Sequence, residues 1–249
     1  MHTIKANGRI YHRLTTAEVK AILPFTSTDE TRLQLNAVCF DAALGVAVAT
    51  DGHTLARLVG TGYVRFAGEC LVAREDMASA VKSAGPGGIV EVSYPETGER
   101  KAASIACCTK RSLRSMSPDA AEPIDPFLVA ATLAVKPVDV QFPPYLQVIP
   151  ERGFKAGGPI GVNGGYMARL DAIGALCNGR TGGVELTGCQ GGLDPIRFDA
   201  SGAETGEWTV VIMPMRAGSN GHDSDTGERA DTLCADRARE SRDVPIAAE

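Results

Sequence analysis

A short amphipathic helix followed by strands and turn residues occurs three times along this chain. The three helices are predicted to start at Thr15, to cover residues 73–84 and to cover residues 164–177. Repeats of this kind indicate that a single unit cannot close its own core and packs on a neighbouring unit. We therefore predict an α+β fold in which half-domains, each a helix with an antiparallel sheet, are repeated about three times.

Individual residues mark the ends of these helices. The hydroxyl of Thr15 can cap the first helix while Glu18 reaches back to the cap, and Pro24 limits its length. The second helix is expected to stop before Gly85. The side chain of Asn163 is predicted to cap the third helix.

Strands are predicted where β-branched and apolar residues run between turn residues. They cover residues 32–40, 45–50, 54–59, 89–94, 102–108, 184–187, 195–199 and 208–213. Residues 112–139 are rich in Ser, Pro, Asp and Ala, which indicates a variable loop with a short helix or strand at 127–134. Residues 218–249 carry mixed charge and few core-forming residues, so we predict a disordered tail.

The composition excludes several classes of protein. The chain has 249 residues and a formal net charge of −5, which argues against a protein that coats nucleic acid through overall basicity. It has no apolar run of about 18 residues that could span a membrane, and its N-terminal segment lacks the apolar core of a secretion signal. We expect a cytoplasmic protein with no membrane contact.

Cofactors and metals are not expected either. The seven cysteines are scattered, with no CxxC pair and no Cys/His cluster of metal-ligand spacing, so we predict reduced core thiols. No nucleophile elbow, phosphate loop or paired-carboxylate motif is visible. Of the four histidines, His2, His12 and His222 lie in segments that we expect to be frayed or disordered, which leaves His53.

Three distant segments carry the most specific signals. Residues 46–57 read VAVATDGHTLAR, residues 141–150 read QFPPYLQVIP and residues 208–216 read WTVVIMPMR. The first is an alternating strand that runs into a tight turn at Asp51 and Gly52, and the last is an apolar strand that ends at a proline. Together these segments resemble the bacterial DNA polymerase III beta subunit, the replicative sliding clamp.

The resemblance covers only part of a clamp subunit. Residues 1–150 resemble its middle domain, and residues 151–217 resemble the C-terminal half of its third domain. The first domain and the first half of the third have no counterpart here. The resemblance implies a non-catalytic processivity protein of DNA replication that assembles as a homo-oligomer and works with DNA polymerase, other clamp-binding proteins and a clamp loader.

In the clamp family the three segments meet in a pocket that binds short linear motifs of partner proteins. Apolar side chains and adaptable methionines suit such a groove, while a few polar groups orient the guest. The family usually has an arginine where Thr54 stands. The positions that match the family's pocket are Leu35, Thr50, Gly52, His53, Thr54, Leu55, Pro143, Val148, Val211, Ile212, Met213, Pro214, Met215 and Arg216.

The family also faces double-stranded DNA with cationic helices, without sequence specificity. The matching cations on or beside the helices of this chain are Lys20, Arg74, Lys82, Arg169 and Arg180. Acidic residues lie among them, so a solvated helix face of mixed charge is an equal alternative.

Other interpretations remain open for the whole chain. The turn at Asp51 and Gly52 is also compatible with a plain hairpin. A shortened clamp could act as a decoy or regulator that occupies clamp-binding proteins without encircling DNA. A third alternative is a hydrolase that uses Asp51 and His53 as an acid/base pair.

Overall fold

The computed structural model describes residues 1–60, 68–96, 103–112, 123–155, 160–179, 183–190, 193–202 and 205–215. Three sequence predictions, those for Arg180, Arg216 and the tail at 218–249, lie outside the described residues. No helix in the described ranges is long and apolar enough to cross a membrane.

The described residues form four α-helices and thirteen β-strands. The helices are α1 (Thr16–Ile22), α2 (Arg74–Ala84), α3 (Gly164–Ala168) and α4 (Leu170–Asn178). The strands are β1 (His2–Ala6), β2 (Arg9–Thr15), β3 (Ala37–Asp41), β4 (Val46–Thr50), β5 (Thr54–Val59), β6 (Glu69–Ala73), β7 (Ile89–Pro95), β8 (Ala103–Cys108), β9 (Ala131–Val135), β10 (Gly153–Phe154), β11 (Glu185–Cys189), β12 (Ile196–Ala200) and β13 (Glu207–Ile212).

The strands make two sheets, and one of them joins distant parts of the chain. The five-stranded sheet has the order β1-β2-β7-β8-β9 and is antiparallel throughout. The eight-stranded sheet has the order β10-β11-β12-β13-β5-β4-β3-β6, with a short parallel pair only between β10 and β11. Strand β13 pairs with β5, so Val211 lies opposite Leu55 and Thr209 opposite Arg57. The third unit thus extends the sheet of the first.

The two faces of the eight-stranded sheet contribute to two separate apolar clusters. Along β4, Ala47 and Ala49 face the larger cluster, which also contains Val19 of α1, Met77 of α2 and Ile173 of α4. The alternate residues of β4 face a smaller cluster, which the segment containing Phe142 and Tyr145 covers. We call these the helix side and the outer side of the sheet.

The start of the first helix follows the sequence prediction. The Thr15 hydroxyl accepts the backbone N–H of Glu18 at 3.1 Å, and the Glu18 carboxylate accepts the backbone N–H of Thr15 at 2.8 Å. This reciprocal capping box is confirmed. Asn163 also caps α3, as predicted, by accepting the N–H of Gly165 at 2.8 Å.

Two predicted elements differ from the structure. The strand predicted at 32–40 begins only at Ala37, because residues before it form a turn in which the N–H of Leu35 donates to the carbonyl of Arg32 at 2.8 Å. The helix predicted at 164–177 is divided at Arg169, whose N–H donates to the carbonyl of Tyr166 three residues back. Such three-residue turns are frequent at the ends of α-helices.

The N-terminal segment was expected to be frayed, and this prediction is wrong. Residues 2–15 form the hairpin β1–β2, and β2 lies inside the five-stranded sheet between β1 and β7. His12 is fully buried there, with its ring nitrogens 3.1 Å from the Thr3 hydroxyl and 2.9 Å from the Tyr94 hydroxyl. The region predicted as a helix or strand at 127–134 ends in β9, at the edge of the same sheet.

Candidate binding site

A cavity of about 330 Å³ opens on the outer side of the eight-stranded sheet, where β5 meets β13. We call it the apolar pocket. Ten of the fourteen residues that the resemblance predicts for the pocket line it. Its lining consists of Gln34, Leu35, Thr50, Gly52, His53, Thr54, Leu55, Pro143, Pro144, Tyr145, Gln147, Val148, Val211 and Met213.

The floor of the apolar pocket is set by strand register. Leu55 and Val211 lie opposite each other on β5 and β13, and both belong to the outer cluster. Ile212, the next residue on β13, faces the helix side and is fully buried there. Because alternate residues of a strand face opposite sides of a sheet, the prediction of Ile212 as a pocket residue was wrong.

The wall formed by the β4–β5 turn is fixed by hydrogen bonds. The Thr50 hydroxyl donates to the carbonyl of Thr54 at 2.7 Å and accepts the N–H of Gly52 at 3.1 Å. The Asp51 carboxylate accepts the N–H groups of His53 at 2.9 Å and Thr54 at 2.7 Å. Gly52 has φ 92°, a conformation that favours glycine, and its neighbour across the pocket is Leu35.

Arg169, which belongs to the third unit, stabilises the β4–β5 turn by contacts with its side chains. Its guanidinium donates to Asp51 Oδ2 at 2.7 Å and to the Thr54 hydroxyl, and it lies 4.9 Å from the ring centre of Tyr166. The Tyr166 ring in turn stacks against His53 at 6.1 Å. Arg169 therefore holds the pocket wall, and the structure gives it this role in place of the exposed cation expected from the sequence.

The opposite rim is the segment from Phe142 to Val148, which crosses the outer side of the sheet. Phe142 and Tyr145 pack edge to face at 6.1 Å, and the Tyr145 hydroxyl donates to Asp41 at 3.2 Å. Burial and the neighbouring Asp41 raise the pKa of Tyr145, so its hydroxyl remains a donor. Pro144, Tyr145 and Gln147 line the pocket although the sequence analysis missed them, and the motif QFPPYLQVIP contained all three.

The end of β13 closes the pocket at one side and then leaves it. The N–H of Met213 donates to the carbonyl of His53 at 2.8 Å, which keeps the Met213 side chain at the pocket. Pro214 and Met215 do not line the cavity, because the N–H of Met215 donates to the carbonyl of Gly161 at 2.8 Å and its side chain is 50% exposed. Gln34, also missed, lies in the turn before β3.

Comparisons with known proteins identify the fold of this chain. No family model matches the sequence, and no curated protein matches it. Solved structures do match. The Caulobacter crescentus DNA polymerase sliding clamp is 20% identical, with 86% of this chain and 68% of that chain covered and a TM-score of 0.53. The H. pylori beta clamp in complex with Diflunisal is 11% identical, with 85% and 67% covered and a TM-score of 0.56.

A third clamp gives the same result. DNA polymerase III subunit beta from Borrelia burgdorferi, in complex with a natural product, is 13% identical, with 84% of this chain and 64% of that chain covered and a TM-score of 0.50. The chain has the sliding-clamp fold. It spans about two thirds of the length of these clamps.

Within the clamp fold, the cations predicted to face DNA divide into two groups. Lys20 and Lys82 are exposed on α1 and α2. Arg74 is half-buried and donates to the Leu23 carbonyl at 2.9 Å and the Thr26 hydroxyl at 2.7 Å, so it ties the start of α2 to the chain after α1. Like Arg169, Arg74 stabilises the fold and is not a free surface charge.

The geometry around Asp51 argues against the hydrolase alternative. Burial pushes the pKa of Asp51 upward, but hydrogen bonds from Arg169 and from the backbone of His53 and Thr54 outweigh it and hold the pKa below its usual value. A carboxylate engaged in this way is a weak base. Among the described residues, no group of three or more His, Cys, Asp or Glu side chains could hold a metal ion.

Proposed function

We propose that this clamp-fold chain is a non-catalytic accessory protein of DNA replication, whose apolar pocket binds short linear motifs of DNA polymerase and other DNA-processing proteins. The convergence of residues from three distant segments on one cavity supports this proposal. The cavity is at the small end of the range for pockets that enclose a ligand, which is roughly 300–1,000 Å³.

The chemistry of the apolar pocket suits a peptide guest. Leu35, Leu55 and Val211 supply an apolar floor, which favours burial of aliphatic side chains at about 25 cal/mol per Å². The flexible side chain of Met213 allows guests of different shape. Thr54 of β5 stands where clamps usually carry an arginine, and the Arg169 guanidinium reaches the Thr54 hydroxyl from the junction of α3 and α4. We infer a guest preference different from that of other clamps.

The proposed DNA contact is weak and independent of sequence. Lys20 and Lys82 would face DNA, and with a net charge of −5 the chain holds DNA mainly by encircling it. This requires a homo-oligomer and a clamp loader. In this proposal residues 1–150 serve as the middle domain of a clamp and residues 151–217 as half of its third domain.

Peptide binding tests the pocket. The probe is a set of fluorescent ten-residue peptides with two adjacent leucines in a serine background. Met213→Ala removes apolar contact area and is expected to weaken binding about tenfold. Met215→Ala, a change of the same size at a side chain outside the pocket, is the matched control and should leave affinity within about twofold. Equal losses in both variants, or no binding to the wild type, would refute the pocket.

Retention on DNA tests the processivity role. After incubation with a clamp loader and ATP, a ring stays on closed circular DNA and is released when the DNA is cut once. We expect this behaviour, and gel filtration of the DNA measures it. Peptide binding without retention on circular DNA would instead identify a decoy or regulator of clamp-binding proteins.

A further inference from the structure

A second cavity, of about 450 Å³, lies beside the apolar pocket on the same sheet, and we call it the polar cavity. Strands β5, β11, β12 and β13 supply most of its lining. Along β5 the lining passes from Leu55 in the apolar pocket to Arg57 in the polar cavity, and along β13 it passes from Val211 to Thr209. On each strand the two residues are two positions apart, so their side chains lie on the same, outer side of the sheet.

Two of the arginines in the polar cavity are already paired. Arg152 and Arg197 both donate to Asp199 Oδ2 at 3.0 Å, and Arg197 also donates to the Pro150 carbonyl at 3.1 Å. The hydroxyls of Thr187 and Thr209 donate to the same carboxylate at 2.7 Å and 2.9 Å. Asp199 is thus fully satisfied inside the protein.

Arg57 differs from them. Its Nε is buried, and no group of the described residues accepts a hydrogen bond from it. The side chain is half-buried and lines the polar cavity, and it forms no ion pair within the described ranges. A buried donor without a partner destabilises the protein, and the loss is larger when the donor is charged. Because the Arg57 side chain lines the polar cavity, an anion in that cavity can supply the charge partner that the described residues do not provide.

We propose that Arg57 binds the carboxylate of an acidic side chain that belongs to the same peptide whose apolar residues fill the apolar pocket. The inference rests on the proposed peptide-binding function. A guanidinium and a carboxylate form paired, charge-assisted hydrogen bonds, which fit the donor geometry of arginine better than a neutral amide does.

The strand geometry sets the position of the acidic residue in the guest. Two positions along a strand span about 7 Å, which is the distance from Leu55 to Arg57 along β5. An extended peptide advances about 3.3 Å per residue. The acidic residue therefore lies two or three positions from the nearest apolar residue of the guest.

Two carboxylates on the lining of the polar cavity oppose this contact. Glu185 and Glu207 are exposed, and both line the cavity that contains Arg57. Nearby negative charges raise the free energy of a bound anion. At 0.1 M salt the Debye length is about 10 Å, so exposed carboxylates closer than this distance still repel the anion. Replacing Glu207 by Gln should therefore strengthen binding of an acidic guest and leave a neutral guest unaffected.

The test compares peptides that differ only in one charge. Ten-residue peptides with two adjacent leucines carry Asp or Asn two or three positions to either side, and fluorescence anisotropy measures their affinity for the full chain. We expect one Asp peptide to bind wild type at least about tenfold more tightly than its Asn counterpart. Arg57→Gln should abolish this difference while binding the Asn peptide normally, which shows that the variant is folded.

Controls separate a local contact from general electrostatics. Lys82→Gln removes the same charge from an exposed helix position and should keep the preference for Asp. Equal affinity of wild type for Asp and Asn peptides, or a preference that survives Arg57→Gln, would overturn this inference and leave the proposed function intact. Failure of every peptide to bind would overturn both.

Discussion

The two sides of the eight-stranded sheet differ in how completely they are covered. On the helix side, Leu58, Trp208 and Ile212 are at most 1% exposed and lie in one large cluster with three helices. On the outer side, the cluster is small, and a single loop that contains Phe142 covers only part of it. The closed side stabilises the fold, and the incomplete cover of the other side leaves apolar surface for a ligand.

The largest expected difference is in the free energy of unfolding, when one leucine on each side of the sheet is replaced by alanine. Leu58→Ala leaves an enclosed void on the helix side and should lower the free energy of unfolding by about 3–4 kcal/mol. Leu55→Ala enlarges an open cavity and should cost about 2 kcal/mol or less. Urea denaturation measures both. Leu55→Ala should also weaken peptide binding, and equal costs for the two variants would contradict the contrast.

Acid should destabilise the protein through His12 of the five-stranded sheet, whose ring lies 5.2 Å from that of Phe40 in the large cluster on the helix side. Burial lowers the pKa of this histidine to about 3, from 6.5 in an unfolded chain. Between these values the unfolded state binds the extra proton, so stability falls as the pH falls below 6.5, by about 1.4 kcal/mol per pH unit. Unfolding measured from pH 7 to pH 5 tests this. His12→Gln, which cannot titrate, should show a flatter dependence, and an unchanged slope would contradict the assignment.

Substitutions of two arginines distinguish an effect on stability from an effect on peptide binding. Arg169→Met removes the cation from Asp51, and Arg74→Met removes hydrogen bonds to the Leu23 carbonyl and to Thr26. Each should lower the free energy of unfolding by about 1–2 kcal/mol. Only Arg169→Met should also weaken peptide binding, by several-fold, since Asp51 shapes the pocket wall. Thermal unfolding and anisotropy on the same samples measure both effects, and a similar loss of affinity in Arg74→Met would disprove the bracing role.

The sequence predicted those features that depend on neighbouring residues. The capping box of Thr15 and Glu18 is local, and so is the Asp51-Gly52 turn. Most pocket residues were found through a resemblance to clamp motifs, and strand alternation would have corrected the error at Ile212 once the Val211–Leu55 register was known. The alternation in β2 was visible as well, but the N-terminal segment that contains His12 was expected to be frayed.

Other features depend on contacts between distant residues. Arg169 lies 118 residues from Asp51 in the chain, and no local pattern around either residue indicates their ion pair. Arg57 shows the same limitation, because the absence of an acceptor for its Nε among the described residues is a property of the folded sheet and cannot be read from the neighbouring sequence.

The pairing of β5 with β13 has a consequence for protein synthesis. The pocket floor combines Leu55 of β5 with Val211 of β13, 156 residues later. A nascent chain on the ribosome therefore has no complete pocket until β13 has emerged and added to the sheet. A polypeptide cut short before that point lacks Val211 and Met213, so the part of the lining that these residues supply is missing.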